Sequence, residues 1–321
     1  MPADYLVTGA AGLIGGAVIR ALNKRGTDKI LAVDHLGTDE KWKNLRELQF
    51  CDYLEKDEFR KRLAEGAFSG FRAVIHMGAC SSTTERNASY LADNNFNATK
   101  ELAEFCVRTA TPFLYASSAA TYGAGENGYH DDEENMHILR PLNMYGYSKL
   151  MFDLWAKRNG LLPFLTGVKF TNVFGPNEHH KGPMRSMVLR AYEQITETGT
   201  VKLFRSDRPE YADGEQKRDF IYVKDAAEMV LALIEKKVHG IYNIGSGRAE
   251  TWNALVTGVF HALGKEVKIE YVDMPEHLKG KYQYYTCADM AKFNALGTGT
   301  GARPLEDAVR DYVQNHLMKE D

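Results

Sequence analysis

Short apolar segments alternate with helical periodicity through the first half of the chain. Apolar residues recur at helical spacing over residues 13–22, which predicts an amphipathic helix. Segments that predict buried strands lie at residues 5–7, 30–33, 73–75, 112–116 and 166–170. Buried strands separated by helices predict a parallel sheet of strand–helix–strand units, so the expected fold class is α/β with a Rossmann-type doubly wound sheet.

The second half of the chain has a less regular pattern. Residues 205–216 are polar and contain a proline, which predicts a loop, whereas residues 220–223 and 241–244 predict strands. We therefore expect a smaller, mixed α/β C-terminal domain. The predicted Rossmann domain comprises residues 1–171 and 220–243, and the predicted second domain comprises residues 172–219 and 244–321.

Composition and charge argue against several classes of partner. The 321 residues carry a net charge of −3, which offers no general attraction to nucleic acid or anionic membranes. The N-terminus has no secretory pattern, and the longest apolar segments are too short to cross a bilayer. Four cysteines without CxxC spacing predict reduced thiols in a cytoplasmic protein. The acidic run at residues 131–134 lacks ligand spacing, so we expect a solvated loop face and no metal site.

The glycine-rich segment at residues 8–15 (TGAAGLIG) follows a predicted strand and opens a predicted helix. Gly9, Gly12 and Gly15 permit a tight turn and let a pyrophosphate approach the main chain. The N-terminus of the following helix offers free N–H groups to the same anion. This strand–turn–helix context predicts a dinucleotide site, and a plain structural turn is the alternative.

Asp34 follows Gly15 by roughly 20 residues and ends the second predicted strand. A carboxylate at this position binds the adenosine ribose hydroxyls of NAD and repels the additional phosphate of NADP. Lys41 and Lys56 could neutralise that phosphate, although a solvated surface lysine is the simpler interpretation of each. The residues alone therefore leave the choice between NAD and NADP open.

Tyr145 and Lys149 are four residues apart, so on a helix they share one face, with Cβ atoms roughly 5–6 Å apart. We expect the Lys149 ammonium to lower the pKa of Tyr145 and make this phenol a general acid and base near neutral pH. Ser118 ends a predicted strand and would hydrogen-bond the reacting oxygen, with a helix cap as its alternative role. Together with the glycine turn, these residues predict a redox enzyme.

The chain resembles the extended short-chain dehydrogenase/reductase family, whose members modify nucleotide sugars, over nearly its whole length. The resemblance is carried by residues 78–85 (GACSSTTE), 115–123 (YASSAATYG), 141–149 (PLNMYGYSK), 172–176 (NVFGP), 180–182 (HKG), 217–220 (KRDF) and 278–283 (LKGKYQ). Residues 78–85 and 180–182 indicate the branch of the family that inverts C6 of an ADP-linked heptose.

The resemblance implies NADP as the cofactor, in preference to NAD. Besides the glycine turn, the implied cofactor residues are Leu13, Ile14, Asp34, His35, Lys41, Lys56, Met77, Gly78, Ala79, Cys80, Ser81, Asn94, Lys149, Val173 and Lys181. The implied residues for an ADP-heptose substrate are Ser118, Asn172, Pro183, Arg190, Phe204, Arg205, Ser206, Asp207, Arg218 and Tyr282. A homo-oligomer, a pentamer, and a role in lipopolysaccharide precursor synthesis are also implied.

Four of these positions depart from the family's pattern. Leu13 replaces a phenylalanine, Met77 a glutamate and Pro183 a serine. Arg190 replaces a histidine, although a cation there still suits a diphosphate. The loop at residues 205–216 is longer than usual, which leaves the register of residues 204–207 against the diphosphate open.

Inversion at C6 of a heptose requires a second acid–base group. The C6 hydrogen is not acidic, because no carbonyl lies beside it, so transient oxidation to a flat 6-ketone is the feasible route. Reduction from the other face then inverts the centre and leaves the C6 oxygen on the opposite side. Tyr145 can exchange a proton with the C6 oxygen on one side only, and the resemblance assigns Lys181 to the opposite side. From the residues alone, a phosphate-binding or surface lysine is the strongly favoured interpretation of Lys181.

Two other functions remain open from the sequence. The first is another nucleotide-sugar 4-epimerase or a dehydratase, although a dehydratase would carry an acidic pair where this chain has Ala119, Ala120 and Thr121. The second is a non-catalytic NADP-binding sensor or scaffold. Such proteins often lose one member of the tyrosine–lysine pair, and this chain has both.

Overall fold

Seven parallel strands form the central sheet of the computed structural model, which describes residues 3–276 and 282–319. The strands of the protein are β1 (Tyr5–Thr8), β2 (Ile30–Asp34), β3 (Asp52–Glu55), β4 (Ala73–His76), β5 (Phe113–Ser118), β6 (Leu165–Phe170), β7 (Asn172–Phe174), β8 (Val201–Phe204), β9 (Lys217–Tyr222), β10 (Gly240–Ile244), β11 (Ala249–Thr251) and β12 (Ile269–Val272). The central sheet has the order β10-β6-β5-β4-β1-β2-β3, which confirms the predicted Rossmann-type sheet.

Helices cover both faces of this sheet. The α-helices are α1 (Leu13–Lys24), α2 (Lys56–Ala64), α3 (Ala88–Leu91), α4 (Ala98–Arg108), α5 (Met144–Arg158), α6 (Met187–Thr198), α7 (Val223–Glu235), α8 (Trp252–Ala262), α9 (Ala291–Asn294) and α10 (Leu305–Asn315). Apolar side chains of α1 and α7 pack on one face, and those of α2, α4 and α5 pack on the other. The strands are buried on both faces, which explains their short, continuously apolar sequences.

A second hydrophobic core lies between α6, α8, α10 and two small sheets. One small sheet has the order β11-β9-β7, and the other pairs β12 with β8. The strand predicted at residues 220–223 is β9, which lies in the first of these small sheets. The elements that follow it return to the Rossmann part of the fold: β10 is a strand of the central sheet, and α7 packs against one face of that sheet. The division into two domains remains a prediction. No helix in the described part of the chain is long and apolar enough to span a membrane.

The acidic run at residues 131–134 is tied to the sheet, so the expectation of a solvated loop face is wrong for two of its members. The buried Asp131 carboxylate accepts a hydrogen bond from the Asn243 N–H at 2.8 Å. Glu133 accepts from the Ile241 N–H at 2.9 Å and pairs with Lys292 at 2.8 Å. Both carboxylates therefore bind edge strand β10, whose N–H groups on that side have no further strand to pair with.

Asp219, within the KRDF segment, joins three parts of the chain. Its fully buried carboxylate accepts hydrogen bonds from the N–H groups of Ser246, Gly247 and Ala288 at 2.6, 3.2 and 3.0 Å. The Ser246 hydroxyl donates to it as well, at 2.7 Å. This carboxylate holds β9, the turn after β10 and the segment before α9 together.

We expect Asp219→Asn to lower the free energy of unfolding by about 3 kcal/mol, because the amide that replaces one oxygen faces buried N–H donors. Urea unfolding measures the loss. The matched control is Asp307→Asn, whose exposed carboxylate pairs with Arg310 and whose loss should cost less than about 0.5 kcal/mol. Equal losses in the two variants would contradict the role given to Asp219.

Candidate functional site

The glycine turn between β1 and α1 is packed so closely that side chains are excluded from it. Gly9 has a φ of 66°, and a Cβ there would lie 2.7 Å from the Gly78 nitrogen. A Cβ on Gly15 would overlap the Gly9 carbonyl oxygen. Gly12 caps α1 without a side-chain hydrogen bond, and no acidic residue lies in the described first turn of this helix. The free N–H groups at the helix start therefore suit an anion such as a pyrophosphate.

Asp34 lies at the end of β2, beside this turn, and is held from three sides. Its carboxylate accepts hydrogen bonds from the N–H groups of Ala11 and His35, each at 2.7 Å. The Lys41 ammonium donates to it at 2.5 Å. The predicted adenosine carboxylate and one of its predicted lysines thus form an ion pair in the folded chain.

A cleft opens beside the turn. It brings together many of the predicted cofactor residues, namely Gly9, Asp34, His35, Lys41, Lys56, Gly78, Ala79, Cys80 and Asn94. Ile14, Met77 and Val173 do not line this cleft and pack, partly buried, against the core on the α1 and α7 face of the sheet. Leu13 is buried, and Ser81 is exposed. The close glycine backbones, the ribose-type carboxylate and the adjoining cleft together fit a dinucleotide.

Three of the four predicted catalytic residues, Ser118, Tyr145 and Lys149, meet where α5 approaches the end of β5. Asn143 caps α5 through a 2.8 Å hydrogen bond from the Gly146 N–H. Gly146 permits this approach, because a Cβ there would lie 2.7 Å from the Ala120 carbonyl oxygen. Ser118 hydrogen-bonds the Tyr145 phenol, and its hydroxyl also accepts from the Ala120 N–H at 3.1 Å. The capping interpretation of Ser118 is therefore confirmed, and its catalytic role stays a prediction.

The expected lowering of the Tyr145 pKa is wrong for this structure. Removal from water raises the pKa of Tyr145, and the hydrogen bond with Ser118 opposes that rise only in part. The Lys149 ammonium donates to the Ala116 carbonyl at 2.9 Å. Burial also lowers the pKa of Lys149 to about 8, which weakens the positive charge on which the expectation rested.

Several residues near the catalytic group were missed by sequence reasoning. The buried Asn95 amide binds both the N–H and the carbonyl of Cys80 and donates to the Ser148 hydroxyl. Asn95 lies in a π-helical turn, Ala92–Asn97, a distortion often found at functional sites. His76 ends β4, lines the cleft and bonds Thr8 at 2.6 Å. The position of His76 at a strand end was the available signal.

Lys181 lies in the 3-10 helix His179–Met184, after β7. Its ammonium makes no hydrogen bond or ion pair with any residue in the described ranges. Burial lowers the pKa of Lys181, and the Glu178 carboxylate opposes this shift. Thr83 contacts Met184 at 3.7 Å, so the loop that carries Cys80 also reaches the Lys181 segment. A desolvated, unpaired ammonium beside that loop is suited to bind an anion or transfer a proton.

Three of the predicted substrate residues form one cluster. The buried Arg218 guanidinium lies 5.1 Å from the Tyr282 ring centre, and the Phe204 and Tyr282 rings are 6.4 Å apart. Burial lowers the pKa of Arg218, and the described residues place no carboxylate in contact with it. Gln283 donates to the Gly123 carbonyl, which links this cluster to the segment that follows Ser118. A buried cation without an anion suits a phosphate group.

The remaining substrate predictions are not gathered in this cluster. Asn172, Pro183 and Arg190 are exposed on β7, on the 3-10 helix and on α6. Arg205 and Ser206 bind Asp213, and Asp207 binds the Tyr284 phenol. Residues 278–281 of the LKGKYQ segment lie outside the described residues, whereas Tyr282 and Gln283 lie within them.

The fold and the cleft define a Rossmann-type dinucleotide-binding protein. The chain belongs to the NAD dependent epimerase/dehydratase family, whose sequence profile matches residues 5–245. It is 50% identical over 319 residues to ADP-L-glycero-D-manno-heptose-6-epimerase of Nitratidesulfovibrio vulgaris, covering 99% of both chains. This relative belongs to the family branch that the sequence indicated, and the family requires a nicotinamide cofactor.

Solved structures show the same fold. The ADP-L-glycero-D-manno-heptose-6-epimerase of Helicobacter pylori superposes with a TM-score of 0.82 at 24% identity, covering 99% of this chain and 97% of the other. A UDP-glucose 4-epimerase of Thermus thermophilus in complex with NAD has a TM-score of 0.77 at 23% identity, covering 99% of both chains. At these identities the two structures support the fold alone.

We expect Gly15→Ala to weaken dinucleotide binding by at least about tenfold, because the new methyl group displaces the Gly9 carbonyl and the turn at the start of α1. Fluorescence titration with the reduced cofactor measures the dissociation constant. The matched control is Gly301→Ala, since a Cβ at Gly301 would meet open space. Unchanged affinity in a folded Gly15→Ala protein would show that the turn does not bind the cofactor.

Proposed function

We propose that the protein converts ADP-D-glycero-β-D-manno-heptose into ADP-L-glycero-β-D-manno-heptose by inversion at C6. The Tyr145 phenol, bonded to Ser118 and one helical turn from buried Lys149, is the observation that carries the proposal. The curated relative of that name, 50% identical over nearly the whole chain, supports this substrate. We also propose that the product serves lipopolysaccharide precursor synthesis.

When bound, the nicotinamide supplies the oxidation at C6 of the heptose and its reversal. The residues of the chain handle the protons. Tyr145 accepts the proton of the C6 hydroxyl as the 6-ketone forms, and Ser118 donates a hydrogen bond to the same oxygen. Lys149 stabilises the tyrosinate that this transfer requires, since a positive charge nearby favours the anion. Burial raises the pKa of Tyr145 in the free protein and so disfavours the tyrosinate, which is why the proposed role of Tyr145 as a base depends on a positive charge nearby.

Lys181 is the proposed acid–base group for the C6 oxygen when it lies on the side away from Tyr145. The ketone must present its other face before reduction, which moves the C6 oxygen away from Tyr145. A lysine whose pKa is lowered by burial can donate a proton to that oxygen and accept one in the reverse reaction. The connection from the Lys181 segment through Thr83 to the loop of Cys80 supports its placement near the reaction.

Arg218, Tyr282 and Phe204 are the proposed contacts for the ADP portion of the substrate. A buried guanidinium that contacts no carboxylate of residues 3–276 and 282–319 favours the diphosphate. We propose that Asn172, Pro183, Arg190, Arg205, Ser206 and Asp207 complete the substrate site. Among these, Arg205 already pairs with Asp213, so Arg205 can bind the substrate only if it leaves Asp213.

Product analysis by NMR after incubation with ADP-D-glycero-D-manno-heptose tests the proposed function. We expect the L-glycero epimer and, in deuterated water, no deuterium at C6, because the hydrogen removed from C6 returns without exchange. Deuterium at C6 would rule out direct return. UDP-glucose serves as the comparison substrate, and turnover of UDP-glucose alone would favour a 4-epimerase. No change in bound-cofactor fluorescence with either sugar would favour a non-catalytic sensor.

We expect Lys181→Met to abolish epimerisation while cofactor binding stays unchanged. Methionine keeps the apolar length of the side chain and removes the group that transfers the proton. Product NMR measures turnover, and fluorescence titration measures cofactor affinity. Lys202→Met, at an exposed lysine of β8, is the matched control. Wild-type turnover in the Lys181 variant would show that Lys181 is not the second acid–base group.

We propose NADP as the preferred cofactor, because the Lys41 ammonium neutralises Asp34 and Lys56 lines the same cleft. Lys41→Met should therefore weaken NADP binding by about tenfold or more relative to NAD, since Asp34 then repels the additional phosphate. Titration of the protein with both cofactors gives the ratio. Lys43→Met, which removes an exposed lysine paired with Glu40, is the control. Tighter binding of NAD by the wild type would refute the preference.

We also propose a cytoplasmic homo-oligomer, a pentamer. The nucleotide-linked substrate and the pyridine nucleotide, together with unpaired cysteines, support the location. The family resemblance supports the assembly. Light scattering at working concentration measures the mass, and a monomer would contradict this proposal.

A further inference from the structure

A buried ion pair lies directly behind the catalytic residues. Asp153 on α5 is fully buried, Lys169 on β6 is 1% exposed, and their charged groups are 3.1 Å apart. Asp153 also accepts hydrogen bonds from the Tyr115 and Ser117 hydroxyls at 2.9 and 2.7 Å. Lys169 donates to the Thr121 hydroxyl at 2.6 Å. Every oxygen of the carboxylate is thus engaged, which fixes its position.

The geometry connects this pair to the reaction. Tyr145, Lys149 and Asp153 follow one another at four-residue spacing, so they share one face of α5. Lys149 donates to the Ala116 carbonyl, and Asp153 binds the side chains on either side of Ala116. On the β5 side, Thr121 bonds the Ser118 carbonyl at 2.7 Å and so joins Lys169 to the strand end that carries Ser118.

Stability alone is a poor explanation for such a pair. The loss of hydration on burying two charges often equals or exceeds their mutual attraction, and apolar residues of the same volume serve a core as well or better. We propose that Asp153 is a positioning residue for the reaction: its anchored carboxylate holds Lys149 in place and keeps it charged. This inference rests on the proposed roles of Tyr145 and Lys149.

Among the titratable groups around Lys149, Asp153 is the main one that favours the protonated ammonium. Burial lowers the pKa of Lys149 to about 8, and the Asp153 charge is the main influence in the opposite direction. Cys80, from the loop after β4, acts in the same direction as Asp153 but less strongly. His76 on β4 is kept neutral, because burial and the Lys149 charge lower its pKa to about 3. Tyr115 on β5 is neutral because burial raises its pKa, and Lys169 on β6 is a cation already paired.

The test is the pH dependence of kcat/KM in full-length variants. Asp153→Asn removes the carboxylate charge, so Lys149 should lose its proton at lower pH. The alkaline limb of the profile should then move down by roughly one pH unit. Because Asp153→Asn alone leaves Lys169 unpaired and could unfold the protein, Asp153→Asn combined with Lys169→Met removes both charges. The double variant should show a smaller downward shift, because loss of the Lys169 charge partly offsets loss of the carboxylate.

The control for stability is Asp225→Asn on α7, whose carboxylate is anchored by Arg303 at 2.6 Å as Asp153 is by Lys169. It should lower the melting temperature without moving the alkaline limb. Loss of stability in the double variant with an unmoved profile would reduce Asp153 to a structural residue and overturn the proposal.

A second readout separates this proposal from the proposed function. NMR titration of protein labelled with 13C at lysine Cε follows the protonation of Lys149 with pH and needs neither substrate nor solvent access to the amine. The double variant should show half-deprotonation of Lys149 at lower pH than the wild type and the Asp225 variant. Absence of epimerisation in the wild type would defeat the proposed function, whereas an unshifted titration curve would defeat the role of Asp153.

Discussion

The site depends on close main-chain contacts of the glycine turn: Gly15 packs against the Gly9 carbonyl and Gly9 packs against Gly78, which leaves no space for a side chain at Gly9 or Gly15. These contacts bring the first turn of α1 against the end of β1, where Gly9 lines the cleft. They also place the turn against Gly78, at the start of the loop that carries Cys80. The cofactor cleft and the approach to the catalytic residues therefore share one set of glycine backbones.

Behind the cleft, the protein places charged groups where water does not reach. Lys149, Asp153 and Lys169 are all buried beneath the end of β5, and Arg218 is buried in the substrate region. Burial lowers the pKa of both Lys149 and Arg218, so each charge depends on what faces it. In the catalytic group that partner is a carboxylate of the chain. In the substrate region, we propose that it is the diphosphate of the ligand.

The sequence predicted the parts of this arrangement that follow from local pattern. The glycine turn, the strand-end positions of Asp34 and Ser118, and the helical spacing of Tyr145 and Lys149 each depend on a few neighbouring residues. The pKa of Tyr145 was predicted in the wrong direction, because burial of the phenol depends on how α5 packs against the end of β5.

Longer-range pairings were beyond the sequence pattern. Asp153 and Lys169 belong to different elements, and only the packing of α5 on β6 shows that they meet. Asp131 looked like part of a solvated acidic run, and its hydrogen bond to β10 depends on a sheet edge far along the chain. The helical spacing of Asp153 from Lys149 was a usable signal, but it gave no indication of the partner on β6.

The hydrogen bond between Asp34 and the Ala11 N–H has an evolutionary consequence. The carboxylate that we propose for the adenosine ribose also accepts a hydrogen bond from the glycine turn that we propose for the pyrophosphate, so exchanging Asp34 would disturb both proposed recognition elements at once. Lineages of this scaffold that drift between pyridine nucleotides would retain the acid and vary the surrounding side chains instead. The preference for NAD or NADP would then be set by the side chains around Asp34, while Asp34 itself stays the same.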